Sequence, residues 1–193
     1  QEDIKFLGVR HEQAAAFMAD GYARASGGVP AACIATGGPG VTNLITGIAA
    51  AYTGHSPVIA IAGEISTEQQ YRDAMQELDM ISLLRPITKL SIPIMRADRV
   101  PELFRHAIRV ATSGKQGPVF LSVPRDIMQG ATIDYEDLMP QNYRAMDKGI
   151  QAPVALVEAA TALLLQAQRP AIIAGGGVNW SGGNELVVQL ADW

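Results

Sequence analysis

The chain has 193 residues, 48% hydrophobic and 18% charged, with a formal net charge of −4. That composition suits a folded globular protein with one full core and room to begin a second. Lys and Arg are scattered and outnumbered by Asp and Glu, which argues against nucleic acid or an anionic membrane as partner, and no apolar run reaches a membrane span.

The single cysteine, Cys33, lies within the apolar run "AACIAT" and reads as a buried, inert thiol. No signal-peptide pattern opens the chain, so the expected location is cytoplasmic. The sequence begins without Met and stops at Trp193 inside a helix-like stretch. Both ends read as cuts in a longer protein.

In chain order, short apolar runs alternate with helical stretches. Strands are predicted at 4–9 ("IKFLGV"), 31–36 ("AACIAT"), 57–63 ("PVIAIAG"), 88–94 ("TKLSIPI") and 117–124 ("GPVFLSVP"). They are apolar on both alternating faces, the pattern of strands covered by helices on both sides. Helices are predicted at 11–26, 41–53, 68–84 and 98–113, the third reading either as one helix or as two short pieces. In the last, Val100, Leu103, Phe104, Ala107, Ile108 and Ala111 form one apolar face, Asp98 is a candidate cap, and Gly114 a left-handed stop. Repeated β-α-β units predict an α/β fold with a doubly wound, mostly parallel sheet over 1–125.

From 126 to 152 the periodicity fades into a Pro-containing, acid-rich stretch that reads as an interdomain linker. Beyond it come an amphipathic helix ("APVALVEAATALLLQAQ"), a buried strand ("RPAIIAGG") and the start of another helix. Residues 153–193 therefore read as the beginning of a second α/β domain.

Three places offer chemistry. Glu12 falls in the first turn of the first helix, at the carboxyl end of the preceding strand, where ligands bind in doubly wound sheets. The helix dipole alone favours an acid there by about 0.3–1 kcal/mol. Next, "TGGPGVTN" (36–43) joins a strand to a helix. Gly37, Gly38 and Gly40 let a ligand approach the backbone, and Pro39 stiffens the turn. No Lys follows as in a Walker A loop, and the GxGxxG register is missing, which disfavours an ordinary dinucleotide-dependent dehydrogenase. The third, "AGGGVNWSGG" (174–183), reads equally as a nucleotide pocket or a plain turn.

Taken together, "RHEQAA", "GYARASGG", "GGPGVTNLITGIAAAY", "PVIAIAGE", the "QE" pair, "TK" and "SGKQGPVFLSVPRD" form an ordered, spaced set. It resembles the pyrimidine-binding domain of thiamine-diphosphate-dependent enzymes, in the acetolactate-synthase-like branch, over residues 4–130. The tail resembles the beginning of that family's central domain. The resemblance implies that Glu12 hydrogen-bonds N1′ of the cofactor's aminopyrimidine and favours the imino tautomer, whose exocyclic nitrogen removes the thiazolium C2 proton. General acid–base help of this kind is worth about 10²–10⁴-fold. It places Gly38, Pro39 and Gly40 beside the pyrimidine and gives Gln76 a catalytic position in the reaction zone. His11 receives no role, and Lys89 matches the family while reading as a surface lysine.

The implied reaction decarboxylates a 2-keto acid and joins the remaining enamine to a second carbonyl. The implied cofactors are thiamine diphosphate and Mg²⁺, the latter held by a GDG…N motif in a diphosphate domain outside these residues. The family's first strand with its helix is also absent. Because the family's cofactor lies between two subunits, a homodimer or homotetramer is expected, and this fragment alone should be inactive.

Departures refine the reading. Met75 stands where a Phe is common, and Met75 with Gln76 occupies the place of paired histidines in pyruvate decarboxylases. Thr36 stands where benzoylformate decarboxylases have a histidine. These missing proton donors favour carboligation over aldehyde release. Arg72 aligns badly with the Arg of FAD-binding members, so FAD in the second domain is the weaker alternative. The competing functions are a 2-keto-acid or oxalyl-CoA-type decarboxylase and, outside enzymes, a non-catalytic nucleotide-binding module.

Overall fold

A computed structural model describes residues 5–129 and 151–193. The chain divides into two compact units, residues 1–145 and 146–193. Most of the stretch expected to be a linker, residues 130–150, lies outside the described residues.

The N-terminal unit is built on four parallel strands, β1 (Ala31–Ala35), β2 (Val58–Glu64), β3 (Leu90–Pro93) and β4 (Val119–Pro124), in the order β1-β2-β4-β3. Between them run α1 (Glu12–Ala25, before β1), α2 (Pro39–Gly54), the single turn α3 (Met80–Leu84), α4 (Val100–Thr112) and, after β4, α5 (Arg125–Gln129). The alternation of each strand sends side chains to two cores. Val58, Ala60, Ala62 and Phe120 pack with Ala16, Ala19, Leu44 and Ile48 of α1 and α2. Ile59, Val119, Leu121 and Val123 pack with Ala107 and Ala111 of α4. The α/β class and the parallel sheet are therefore as the pattern predicts, and the apolar face read for α4 faces this second core.

Cys33 is buried in the first core, and desolvation pushes its thiol pKa up to about 12. Such a thiol stays protonated and unreactive.

Several expectations need correction. Residues 5–9 form no strand, and Phe6 and Leu7 are exposed. This segment, α1 and β1 line a cavity of about 920 Å³. Without a neighbour to exchange hydrogen bonds, an extended apolar run is not a ladder strand. β1 is covered on one face only, and Ile34 on the other face is 57% exposed.

Of the two readings of 68–84, the single helix does not form: the stretch is two short pieces, a 3₁₀ turn (Thr67–Gln69) and α3, joined by a loop. Asp98 does not cap α4. It sits in a 3₁₀ turn (Ala97–Arg99) and accepts from the Arg96 guanidinium at 2.6 and 2.9 Å, while Pro101 occupies the first turn of α4. Gly114 does adopt the left-handed conformation (φ 55°) just past the helix.

Lys89 is not a free surface lysine. Its half-buried ammonium donates to the Val110 carbonyl and, at 2.7 Å, to that of Ser113, capping the negative end of α4. Desolvation lowers its pKa.

The C-terminal unit contains α6 (Val154–Gln166), α7 (Gly176–Trp180) and α8 (Asn184–Ala191). The strand predicted in "RPAIIAGG" does not form there, and Ile173 is 97% exposed. Among the described residues of this unit there is no second strand to pair with it.

Candidate active site

The site forms where α1 begins and where β1 and β2 end. Glu12 is the first residue of α1, directly after the N-cap His11, whose Nδ1 accepts from the Gln13 backbone N–H at 3.2 Å. His11 thus satisfies one of the free amides of the helix start, a structural part consistent with its having no assigned role.

The Glu12 carboxylate turns toward α2, where Asn43 Nδ2 donates to its Oε2 at 2.9 Å. This bond, with the carboxylate's own backbone N–H next in weight, holds the Glu12 carboxyl below the usual carboxylate range. Glu12 therefore carries a full negative charge at neutral pH, in a half-buried position.

Asn43 can reach Glu12 because α1 and α2 run unusually close. A Cβ on Gly47 of α2 would overlap the Cβ of Ala16, and would lie 3.2 Å from the Phe17 nitrogen. Only glycine opposite alanine permits that approach.

The turn "TGGPG" completes the wall. Gly38 is the N-cap of α2 in a conformation open to glycine alone (φ 62°, ψ −113°), and Pro39 takes the first helical position. A Cβ on Gly37 would sit 2.5 Å from the Gly63 carbonyl oxygen, at the end of β2. One on Gly40 would lie 2.9 Å from Thr36 Cγ2 and 3.5 Å from Glu12 Oε1. The second carboxylate oxygen thus borders the space that glycine leaves. An aromatic ring carrying a protonated nitrogen fits this arrangement: an ionised acceptor with one oxygen committed to Asn43, beside a backbone stripped of side chains.

Gln76 comes to the same turn, but through its backbone. A Cβ on Gly38 would meet Gln76 O at 2.7 Å and Gln76 Cα at 3.1 Å. Gln76 is in the left-handed region (φ 70°), as are Tyr71 (63°) and Asp73 (52°) in the same loop. For non-glycine residues such conformations cost on the order of 1–3 kcal/mol each and persist only where neighbours enforce them. The side chain of Gln76 is exposed, and the adjacent Met75 is 87% exposed. The Gly38 backbone N–H points into the protein and donates to Met80 Sδ at 3.3 Å.

Sequence reading singled out Glu12, Gly38, Pro39, Gly40 and Gln76. It passed over Asn43, whose signal was a lone amide inside an apolar, alanine-rich helix, where asparagine is disfavoured without a task. It also passed over Glu64, the charged end of an otherwise apolar strand. The Ser122 hydroxyl donates to Glu64 Oε2, and Gln70 Nε2 donates to Oε1 at 3.3 Å. Among the described residues no group of three or more His, Cys, Asp or Glu side chains gathers to hold a metal ion. No helix among them is long and apolar enough to cross a membrane.

Residues 1–83 match the family described as thiamine pyrophosphate enzyme, N-terminal TPP binding domain. The "Probable acetolactate synthase large subunit" of Methanocaldococcus jannaschii is 41% identical over 201 residues, covering 99% of this chain and 32% of that protein. Over this stretch the chain is similar to the thiamine pyrophosphate enzymes. The acetolactate synthase large subunit of Buchnera aphidicola from Schizaphis graminum is 40% identical, covering 98% of the chain and 33% of the relative. The isozyme 2 large subunit of Escherichia coli is 41% identical, with 91% and 31% covered. The chain therefore spans about a third of the length of these curated relatives, and the resemblance read from "RHEQAA" and "GGPG" runs in the same direction.

Proposed function

We propose that this chain supplies the pyrimidine-binding wall of a cytoplasmic, acetolactate-synthase-type enzyme. The reaction decarboxylates a 2-keto acid and joins the remaining acyl carbons to a second carbonyl compound. The observation that carries this reading is the pairing of an ionised Glu12 with Asn43 beside the Gly38–Pro39–Gly40 turn. Thiamine diphosphate, when bound, supplies a carbon nucleophile and an electron sink that no protein side chain offers.

The residues of this chain do four things for it. Glu12 Oε1 accepts a hydrogen bond from a protonated ring nitrogen and so stabilises the proton there. Asn43 fixes the orientation of the carboxylate and keeps it charged. The glycine turn lets the ring lie against backbone and excludes water from that face. Gln76 stands at the rim, positioned to meet the substrate. Mg²⁺ and the diphosphate group would be held by residues beyond this chain, in a homodimer or homotetramer that closes the site. FAD is the less favoured ligand of the second unit.

The test is Glu12→Gln in the full polypeptide, given pyruvate, thiamine diphosphate and Mg²⁺. The amide keeps the size and the contact with Asn43 but loses the charge. Acetolactate formation is expected to fall by about 10²–10⁴-fold with an unchanged circular-dichroism spectrum and melting temperature. Undiminished turnover would overturn the proposal, and acetaldehyde without acetolactate from the wild type would move the enzyme to the decarboxylases.

A further inference from the structure

Past the 3₁₀ turn Thr67–Gln69, the connection from β2 to α3 has no regular structure to hold it, yet three of its non-glycine residues are kept in the left-handed region. Something must enforce them. The Glu77 carboxylate reaches back over the loop and accepts from the backbone N–H groups of Tyr71 and, at 2.9 Å, Ala74. Its own backbone N–H donates to the Ala74 carbonyl at 2.9 Å, closing the turn from the other side. Two backbone amides three residues apart thus converge on one carboxylate, a small anion-binding concavity filled by the protein's own side chain.

The residue this arrangement presents is Gln76, immediately before Glu77. On its other side Gln76 is met by Gly38, where even a methyl group would overlap the Gln76 backbone. Gln76 is thus clamped between the glycine turn and a loop whose shape depends on one carboxylate.

We infer that Glu77 is a positioning residue, which sets the placement of Gln76 against the Gly38–Gly40 turn and thereby its reach toward the second substrate. The inference rests on the function proposed above. Glu77 touches neither cofactor nor substrate and acts only through the loop. Hydrogen bonds to a charged acceptor are the stronger kind, and two of them converge here, which is why one side chain suffices to hold several unfavourable backbone angles. The Glu77 carboxyl is held below the usual range by the amides of Ala74 and Tyr71, so the anion is present at neutral pH.

The experiment uses the full polypeptide and the variants Glu77→Ala, Glu77→Gln, Gln76→Ala and the double Gln76→Ala/Glu77→Ala. Hydrogen exchange should show the amides of residues 70–77 exchanging about tenfold faster in Glu77→Ala, with the rest of the N-terminal unit unchanged. Glu77→Gln, which keeps one acceptor oxygen, should fall in between. With pyruvate as substrate, Glu77→Ala should lower kcat/KM for carboligation about tenfold and shift the ratio of ligated product to released aldehyde in the same sense as Gln76→Ala. The double variant should be no worse than Gln76→Ala alone, because a positioning residue has nothing left to position.

Wild-type exchange in Glu77→Ala, an unchanged product ratio, or additive losses in the double variant would each overturn the inference. Glu12→Gln measured alongside keeps the two proposals apart. Full turnover in that variant overturns the proposed function, whereas the exchange result decides the clamp with no turnover required.

Discussion

The two walls of the candidate site are held by different forces. The wall made by α1, α2 and the glycine turn is fixed by shape: Gly47 lies against Ala16, Gly37 against the end of β2, Gly40 against Thr36, with Leu44 and Ile48 fully buried behind them. The wall made by residues 65–79 buries little and is fixed by carboxylates accepting from amides and hydroxyls. Glu77 holds Tyr71 and Ala74, Asp126 of α5 holds Thr67, and Asp79 holds Ser82 at 3.0 Å. A shape-fixed wall suits a cofactor that must always lie in one pose, since it gives preorganised contacts at no cost on binding. A wall of hydrogen bonds over an exposed loop can be tuned or opened locally, as suits the side that meets changing substrates.

The sharpest way to break this contrast is to add a methyl group to the shape-fixed wall. Gly47→Ala places a Cβ on top of the Ala16 methyl and close to the α1 backbone, so the helices must separate. Overpacking of this kind costs about 1–3 kcal/mol, and the separation should also pull Asn43 off Glu12. Gly21→Ala on α1 is the control, because nothing lies within 4 Å of its would-be Cβ. That change should stabilise by about 0.5–1 kcal/mol through the unfolded chain and the better helix former. Urea unfolding of both variants reads the difference, and equal stabilities would show that α1 and α2 are not in shape-limited contact.

A smaller effect is expected from Asn43→Ala, which leaves the helix packing alone and removes one hydrogen bond. The Asn43 contact is the largest influence holding the Glu12 carboxyl down. Without it the Glu12 pKa rises toward its ordinary value. The acid limb of the kcat/KM profile of the full enzyme should therefore move to higher pH, since Glu12 protonates earlier as pH falls. Turnover at neutral pH should drop by about tenfold for the loss of a charge-assisted bond. An acid limb that stays in place would mean that Asn43 does not govern Glu12.

The same contrast explains what could be read from the sequence. Shape leaves a compositional trace, so the glycines of "GGPG", the alanines of α1 and the apolar strands made the parallel sheet and the glycine turn that packs against it legible. The polar wall leaves no trace of its own. Glu77 and Asp126 look like any surface acids until the fold brings the amides of Tyr71, Ala74 and Thr67 to them. The three left-handed residues fall on Tyr, Asp and Gln, none of which announces a turn as glycine would, and so 68–84 read equally as one helix or as two short pieces. Strand formation failed as a prediction for a related reason: "IKFLGV" and "RPAIIAGG" have strand composition, but a ladder is a property of two segments, and neither finds a partner among the described residues.

Acid should separate the two walls without any mutation. The Glu77 and Asp126 carboxyls are both held below the usual range, the first by the amides of Ala74 and Tyr71, the second by the Thr67 hydroxyl and amide. For groups whose folded pKa is depressed, the stabilising contribution is complete above the ordinary carboxylate pKa. It is lost as pH falls through the depressed value, because the unfolded loop takes up protons first. The contact of Gly47 with Ala16 carries no ionisable group and has no such dependence. On lowering the pH, amides of residues 67–77 should lose protection from exchange, corrected for the intrinsic rate, before amides in the middle of α1 and α2 do. Simultaneous loss in both regions would show that the loop has no independent opening and that carboxylates do not hold it. Loss in the loop alone would tie its closure to those two side chains, and Glu77→Gln, which has no carboxyl to titrate, should then flatten most of the pH dependence at Tyr71 and Ala74.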